Sequence, residues 1–392
     1  MKRTCRIFQA VFSSFVVGVA IVCSASPLWA VDRVTANIDE VEKKLEGRIL
    51  AVDDGGNIFL ETRDGQWHMI RKKDIIDQTS DDKEFQPYTK DEMKKRLTEE
   101  FPKEFHILET KRYLVVYDTS KTYAQWCAAL LERLGTAFLA HWKTKGFELN
   151  EPEFVLVAVI FADRGNFLRC TASEVGSAVD QIAAYYNQYT NRVVFYDLTG
   201  QERDGASFST KTTGRRMREI LSRPESARAV STFVHEATHQ ISFNSGLQKR
   251  SAANPLWVSE GIATLFETPN YDSQQAWTPG IKLNLNRLGD LFSYLDNRRP
   301  EDPIRKVVVS DEPFQIITSP YSAVDAYATA WSMMFYFNAR RPKDLVKYMK
   351  IISAKKPFVP EGSEQRIRDF EEAFGNDWDK LLKDYYKFVR SL

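Results

Sequence analysis

Apolar residues change their period along this chain, and the change divides it. Over residues 47–76 they alternate in short runs, Arg48-Ile-Leu-Ala-Val52, Asn57-Ile-Phe-Leu-Glu61 and Gln66-Trp-His-Met-Ile70. The runs are separated by Asp53-Asp-Gly-Gly56 and Arg63-Asp-Gly65. Period-two patterning broken by Asp-Gly pairs predicts hairpins, because glycine accepts the positive φ that tight two-residue turns require. The pattern predicts a small all-β, barrel-like module over 33–77. Residues 78–102 are polar, with Pro87 among them, and read as a linker ending in a short charged helix stopped by Pro102.

From residue 103 the pattern becomes that of an α+β domain reaching residue 392. Tyr113-Leu-Val-Val-Tyr117 reads as a strand, and Thr119 or Ser120 caps an amphipathic helix running to about Lys145. The unbroken apolar run from Phe154 to Phe161 predicts a strand buried on both faces. Ile182-Ala-Ala-Tyr-Tyr186 and Arg192-Val-Val-Phe-Tyr196 flank turn-forming residues and predict a hairpin. Beyond Gly214 the spacing is mostly helical.

One of those helices carries chemistry. Pro224 stands where a first-turn proline belongs and Gly246 where a helix stops, while Val230, Phe233, Val234, Ala237 and Ile241 recur at helical spacing. Within it lies His235-Glu236-Ala237-Thr238-His239. Four residues turn a helix by about 400°, so both imidazoles leave one face, one turn apart, where they can share a zinc ion. Glu236 points aside, towards a metal-activated water rather than the metal. A third ligand is required. Position 245 is Ser245 and the remaining histidines, His68, His106 and His141, lie upstream without ligand spacing. Downstream, Asn254-Pro255 opens an apolar helix whose acid, Glu260, precedes Gly261. A carboxylate buried there needs a cation, and the metal supplies it. Glu267, at the end of that helix, is the competing acid, and its terminal position reads as solvated.

His-Glu-Ala-Thr-His followed by Trp257-Val-Ser-Glu-Gly-Ile-Ala263 resembles the gluzincin division of zinc metallopeptidases. It is most similar to a family of secreted bacterial proteins of unassigned function that share a peptidase-like domain. The similarity extends through Tyr123-Ala-Gln-Trp-Cys127, Tyr185-Tyr186 to Gly200 and Ala326-Tyr327-Ala-Thr-Ala-Trp331, most of the chain. Thr264 departs from the thermolysin-like pattern, which places an aspartate four residues after the ligand glutamate. The resemblance implies a zincin-like domain over 103–392 that holds Zn2+ and hydrolyses peptide bonds, with Glu236 as general base. It also implies a downstream tyrosine or histidine that stabilises the oxyanion. Tyr327 is the candidate for that role, with Tyr321 its rival and a plain core tyrosine an equal alternative. By analogy, the strand Arg192 to Tyr196 could offer an edge to an extended peptide, but an ordinary structural strand is the favoured reading.

Composition adds the compartment. Residues 1–30 open with Lys2, Arg3 and Arg6, continue through an apolar stretch and close with Ser-Ala-Ser-Pro and Leu-Trp-Ala, the layout of an export signal cleaved after Ala30. An uncleaved anchor is the alternative, since the stretch is long enough to span a bilayer. The expected location is periplasmic or extracellular, with no further membrane span. A net charge of +1 over 392 residues gives no basic field for nucleic acid, so a peptide or protein substrate is the expected partner. Cys127 and Cys170 remain after cleavage, either bridged or as two buried thiols. Two other functions fit the motif: a zinc-containing envelope or surface interaction protein without catalysis, and a zinc amidase acting on cell-wall amide bonds. The first leaves Glu236 without a use.

Overall fold

The computed structural model describes residues 31–175, 182–197, 224–268, 283–315 and 322–392. The chain divides into two compact units, Met1–Glu132 with Pro152–Ala229, and Arg133–Glu151 with Val230–Leu392. The export-signal reading of residues 1–30 and the rival Tyr321 both lie outside the described residues.

The first unit holds two sheets. Strands β1 (Val31–Ile38), β2 (Val41–Val52), β3 (Ile58–Thr62), β4 (Trp67–Ile70) and β5 (Ile75–Asp81) form an antiparallel sheet in the order β4-β3-β2-β1-β5. Its core is Val34, Ala36, Ile58, Leu60 and Ile70, flanked by Ile38, Leu45, Ile49 and Ile75. Alternation puts these residues on one face. At Gly47 a Cβ would stand 2.2 Å from the Glu61 carbonyl oxygen, so only glycine lets β2 cross β3 there. The long β1–β2 hairpin turns at Asp39 and Glu40, both at positive φ. Strand β5 runs to Asp81, into the stretch expected to be linker.

Helix α1 (Lys90–Glu100) follows, its Thr89 cap and Glu92 forming a reciprocal capping box. The second sheet comprises β6 (His106–Glu109), β7 (Tyr113–Tyr117), β8 (Leu156–Phe161), β9 (Ala184–Asn187) and β10 (Arg192–Tyr196), ordered β6-β7-β8-β10-β9. The pairs β7–β8 and β8–β10 are parallel, while β6 and β9 run antiparallel at the edges. Strand β8 is buried at every position, as its unbroken apolar run requires. The expected hairpin forms, but Arg192 to Tyr196 is not an edge. Strand β10 sits between β8 and β9, so its ladder positions are taken on both sides. Helices α2 (Lys121–Thr144) and α3 (Arg164–Val175) complete the connections, and their Cys127 and Cys170 are separate buried thiols.

The second unit is helical. It contains α4 (Pro224–Asn244, from Val230), α5 (Leu256–Phe266), α6 (Leu285–Ser293), α7 (Pro303–Val309), α8 (Ser322–Arg340), α9 (Pro342–Ala354), α10 (Ser363–Phe374) and α11 (Trp378–Val389). Helix α5 starts after Pro255, which has no side chain to cap it. Instead the Leu256 N–H donates to Asp311, 2.9 Å away, and Asp311 is held by Arg366. Further along, α5 packs on α8 at Gly261, where a Cβ would come 2.9 Å from the Ala330 carbonyl oxygen. The glycine after Glu260 thus permits a close helix contact. Trp257 stacks on Tyr348 and meets Phe337 and Phe370 edge-on, which fixes the start of α5 in an aromatic core. At its other end Phe266 packs against Phe138 and His141 of α2. The helix that presents Glu260 is therefore anchored at both ends. Among the described residues no helix is long and apolar enough to cross a membrane.

Candidate metal centre

Helix α4 is buried along Val230, Phe233, Val234, Ala237 and Ile241, and the same spacing delivers the two histidines together. Their rings stand 4.7 Å apart, nearly perpendicular, with the two Nε2 atoms 3.1 Å from each other. Helix α5 brings Glu260 Oε2 to 2.9 Å from His235 Nε2 and 3.6 Å from His239 Nε2. Three donors on a tetrahedral zinc, each about 2 Å from the ion, lie roughly 3.3 Å from one another. The observed edges of 2.9, 3.1 and 3.6 Å bracket that value. Two imidazoles and one carboxylate are also the donor set a closed-shell divalent ion of this kind accepts. His235, His239 and Glu260 can therefore hold a metal ion. Among the described residues they are the one His/Cys/Asp/Glu group that can.

The electrostatics agree. Burial alone would lower the His235 pKa, but hydrogen bonds to Glu260 and Glu267 push it up to about 10. Burial alone would raise the Glu260 carboxyl, yet His239 and His235 hold it well below the usual carboxylate range. A pocket that binds a proton so firmly is short of positive charge, which is the field a divalent cation meets.

Glu267 is not solvated. It is 5% exposed, and its Oε1 lies 2.8 Å from His235 Nδ1. Asn284 Nδ2 donates to Oε2 at 2.7 Å, while Arg287 donates through Nη2 to Oε1 and through Nε to Oε2. Burial would raise this carboxyl, but His235 and Arg287 lower it instead. An ionised acceptor at Nδ1 requires the proton there, which leaves the Nε2 lone pair free for a metal. Thr264 does something else: its hydroxyl bonds the carbonyls of Glu260 and Gly261 in its own helix. The orienting acid therefore arrives seven residues after Glu260 rather than four. Two full turns return the side chain to the same helix face, and that spacing was the sequence signal for it.

Residues 229–359 match a family described as "Protein of unknown function (DUF1570)". That span holds every side chain of the site, from His235 to Tyr327. It does not reach the segments near Tyr123 and Tyr185, through which the resemblance was expected to run. No curated protein matches the sequence.

Tyr327, on α8, completes the surroundings. Its ring lies 6.4 Å from the His235 ring, against Phe314 on one side, with the Arg287 guanidinium 5.4 Å from its centre. Glu260, then burial, then Glu236 raise the pKa of its hydroxyl, so it stays protonated and can donate. Among the described residues that hydroxyl has no hydrogen-bond partner. Glu236 is half-buried, and its carboxylate is close enough to act on the same hydroxyl. Glu236, the three side chains that could hold a metal and the Tyr327 hydroxyl thus share one locality.

Proposed function

We propose that this chain is an exported zinc-dependent peptidase, with the zincin-like character its motifs suggest. The observation that carries the reading is the Nε2–Nε2–Oε2 triangle of His235, His239 and Glu260, accompanied by a glutamate that is not one of its corners. A structural site would have no use for Glu236. Zinc, when bound, supplies Lewis acidity towards a carbonyl and lowers the pKa of water towards roughly 7. The chain's own residues account for the rest. His235 is oriented by Glu267, so its Nε2 lone pair faces the centre. Glu236 accepts a proton from the attacking water and passes it to the leaving amine. The Tyr327 hydroxyl donates to the oxygen on which negative charge develops.

Metal analysis of the mature chain followed by digestion of a broad peptide library and of cell-wall peptides tests this. The expected result is about one zinc per chain and cleavage in the peptide library. His235→Ala should lose both. Full zinc occupancy in His235→Ala and His239→Ala would refute the ligand set, and cleavage confined to wall amides would reassign the substrate.

A further inference from the structure

The Glu267 carboxylate lies beneath the metal centre rather than in it, and it is saturated. An ionised carboxylate offers about four acceptor positions. Here His235 Nδ1 and Arg287 Nη2 fill those of Oε1, and Asn284 Nδ2 and Arg287 Nε those of Oε2. Three of these four bonds come from the start of α6, a helix that contributes no metal ligand. The backbone of the same residue is also fixed, since the Glu267 carbonyl accepts from Ser231 of α4 at 2.8 Å.

This arrangement has a directional consequence. A guanidinium binding through Nε and Nη2 holds a carboxylate in its own plane, which a single ammonium cannot do. With that plane fixed, the Oε1 lone pair facing His235 has one direction, and the Nδ1–H must follow it. The ring of His235 then has one rotation, and so does its Nε2. Arg287 further lies over the ring of Tyr327, so the same guanidinium abuts the hydroxyl-bearing side chain across the site. Without Arg287, the buried Glu267 charge would keep only His235 and Asn284 as partners and would be free to turn.

We propose that Arg287 is a positioning residue of the metal centre, acting on His235 through Glu267. Its contribution is to metal affinity and ligand geometry, not to contact with substrate. The inference rests on the metal reading above, but not on peptidase activity.

The test uses the full mature chain and four variants. Arg287→Lys keeps the charge and loses the fork. Glu267→Gln keeps an acceptor for Nδ1 and loses the charge, and the double variant joins the two. Asn284→Ser keeps the cap of α6 while losing the bond to Glu267, a gentler change should the others fold poorly. The readouts are the Zn2+ dissociation constant by chelator competition, the visible absorption of the Co2+-substituted protein, and the thermal midpoint of the metal-free protein. Outer ligand partners are typically worth about 10- to 100-fold in metal affinity. Arg287→Lys should weaken Zn2+ binding by about tenfold and change the Co2+ bands, and Asn284→Ser should weaken it by about threefold. In the Glu267→Gln background, Arg287→Lys should add less than about twofold, because its route to the metal is already cut. A lower thermal midpoint with unchanged Zn2+ affinity would show a merely structural arginine and overturn the proposal. Additive losses in the double variant would overturn it too. Wild-type protein that takes up neither metal would end both this inference and the metal reading. Wild-type protein that binds zinc tightly yet cleaves nothing would defeat the proposed peptidase alone.

Discussion

At the scale of single residues, the chemistry depends on which carboxylate does what, and four of them can be told apart by their partners. Glu260 faces two imidazole nitrogens, Glu267 faces the far side of one imidazole, and Asp311 caps a helix. Glu236 is not one of the three side chains that could hold the metal, so exchanging it for glutamine should leave metal binding intact while removing the proton acceptor. Glu236→Gln is expected to bind zinc as wild type does and to lose about 10²- to 10⁴-fold in kcat on any substrate found, the usual worth of a general base. Unchanged turnover would remove Glu236 from the mechanism. Tyr327→Phe keeps the ring packed between Phe314 and Arg287 and deletes only the donor. A loss of about 10²- to 10³-fold in kcat with little change in KM is expected for an oxyanion donor. An equal rise in KM with constant kcat would mark it as a binding surface instead. That His235, His239 and Glu260 come together in a group that could hold a metal was legible in the sequence, because helical geometry alone brings positions four apart together and because Glu260 is an acid in an apolar helix. Glu267 was misread. Its terminal place in α5 suggested solvent, whereas Asn284 and Arg287, distant in sequence, fold over it. Burial produced by a remote segment leaves no local mark.

At the scale of elements, the site requires α5 to lie close to α8 along Gly261. The same substitution at two glycines should therefore have opposite signs. Gly261→Ala places a methyl 2.9 Å from the Ala330 carbonyl oxygen and 3.2 Å from Met334 Cβ, and the first of these is backbone that cannot swing aside. Overpacking costs typically about 1–3 kcal/mol, more than the roughly 1 kcal/mol that alanine gains over glycine in a helix. A lower Tm and weaker zinc binding are expected, since Glu260 immediately precedes the displaced turn. Gly289 of α6 has nothing within 4 Å of its added Cβ. Gly289→Ala should raise stability by up to about 1 kcal/mol in denaturant unfolding. If both substitutions moved Tm the same way, the close contact would not be the reason for Gly261. Elements with a strong period or standard punctuation were legible: β8 from its apolar run, α4 from Pro224 and Gly246, the β9–β10 hairpin from its turn. The long β1–β2 hairpin was not, because Asp39-Glu40 is an uncommon pair for two residues at positive φ. The interior place of β10 was also hidden, since pairing order is set by non-local contacts and not by the strand's own sequence.

At the scale of the whole molecule, composition told little beyond a near-neutral chain, and the family match covers the site without covering the sheets. Acid stability offers a measurable consequence of how the second unit is built. His141 packs on Phe266 and Trp142, and its Nε2 is sealed from solvent with no hydrogen-bond partner. Burial, then the nearby Lys145, lower its pKa to about 3, with the neighbouring Asn338 side chain opposing them. The folded value lies below the ordinary 6.5, so above that pH both folded and unfolded chains carry a neutral ring and stability is unaffected. As pH falls from about 6.5 towards 3, the unfolded chain takes up a proton that the folded one refuses, and stability is lost. One such proton is worth at most about 1.4 kcal/mol per pH unit within that window. His141→Phe preserves an aromatic ring against Phe266 and cannot titrate. Denaturant unfolding of metal-free protein at pH 7, 6, 5 and 4 should show a shallower loss of stability in the variant, by close to one proton between pH 6 and 4. The variant's stability at pH 7 can move in either direction, since the ring's size and polarity both change, so the slope is the quantity to compare. Parallel slopes for wild type and His141→Phe would mean that the buried ring accepts its proton within the fold and that α2 does not hold Phe266, and with it the end of α5, in the manner described.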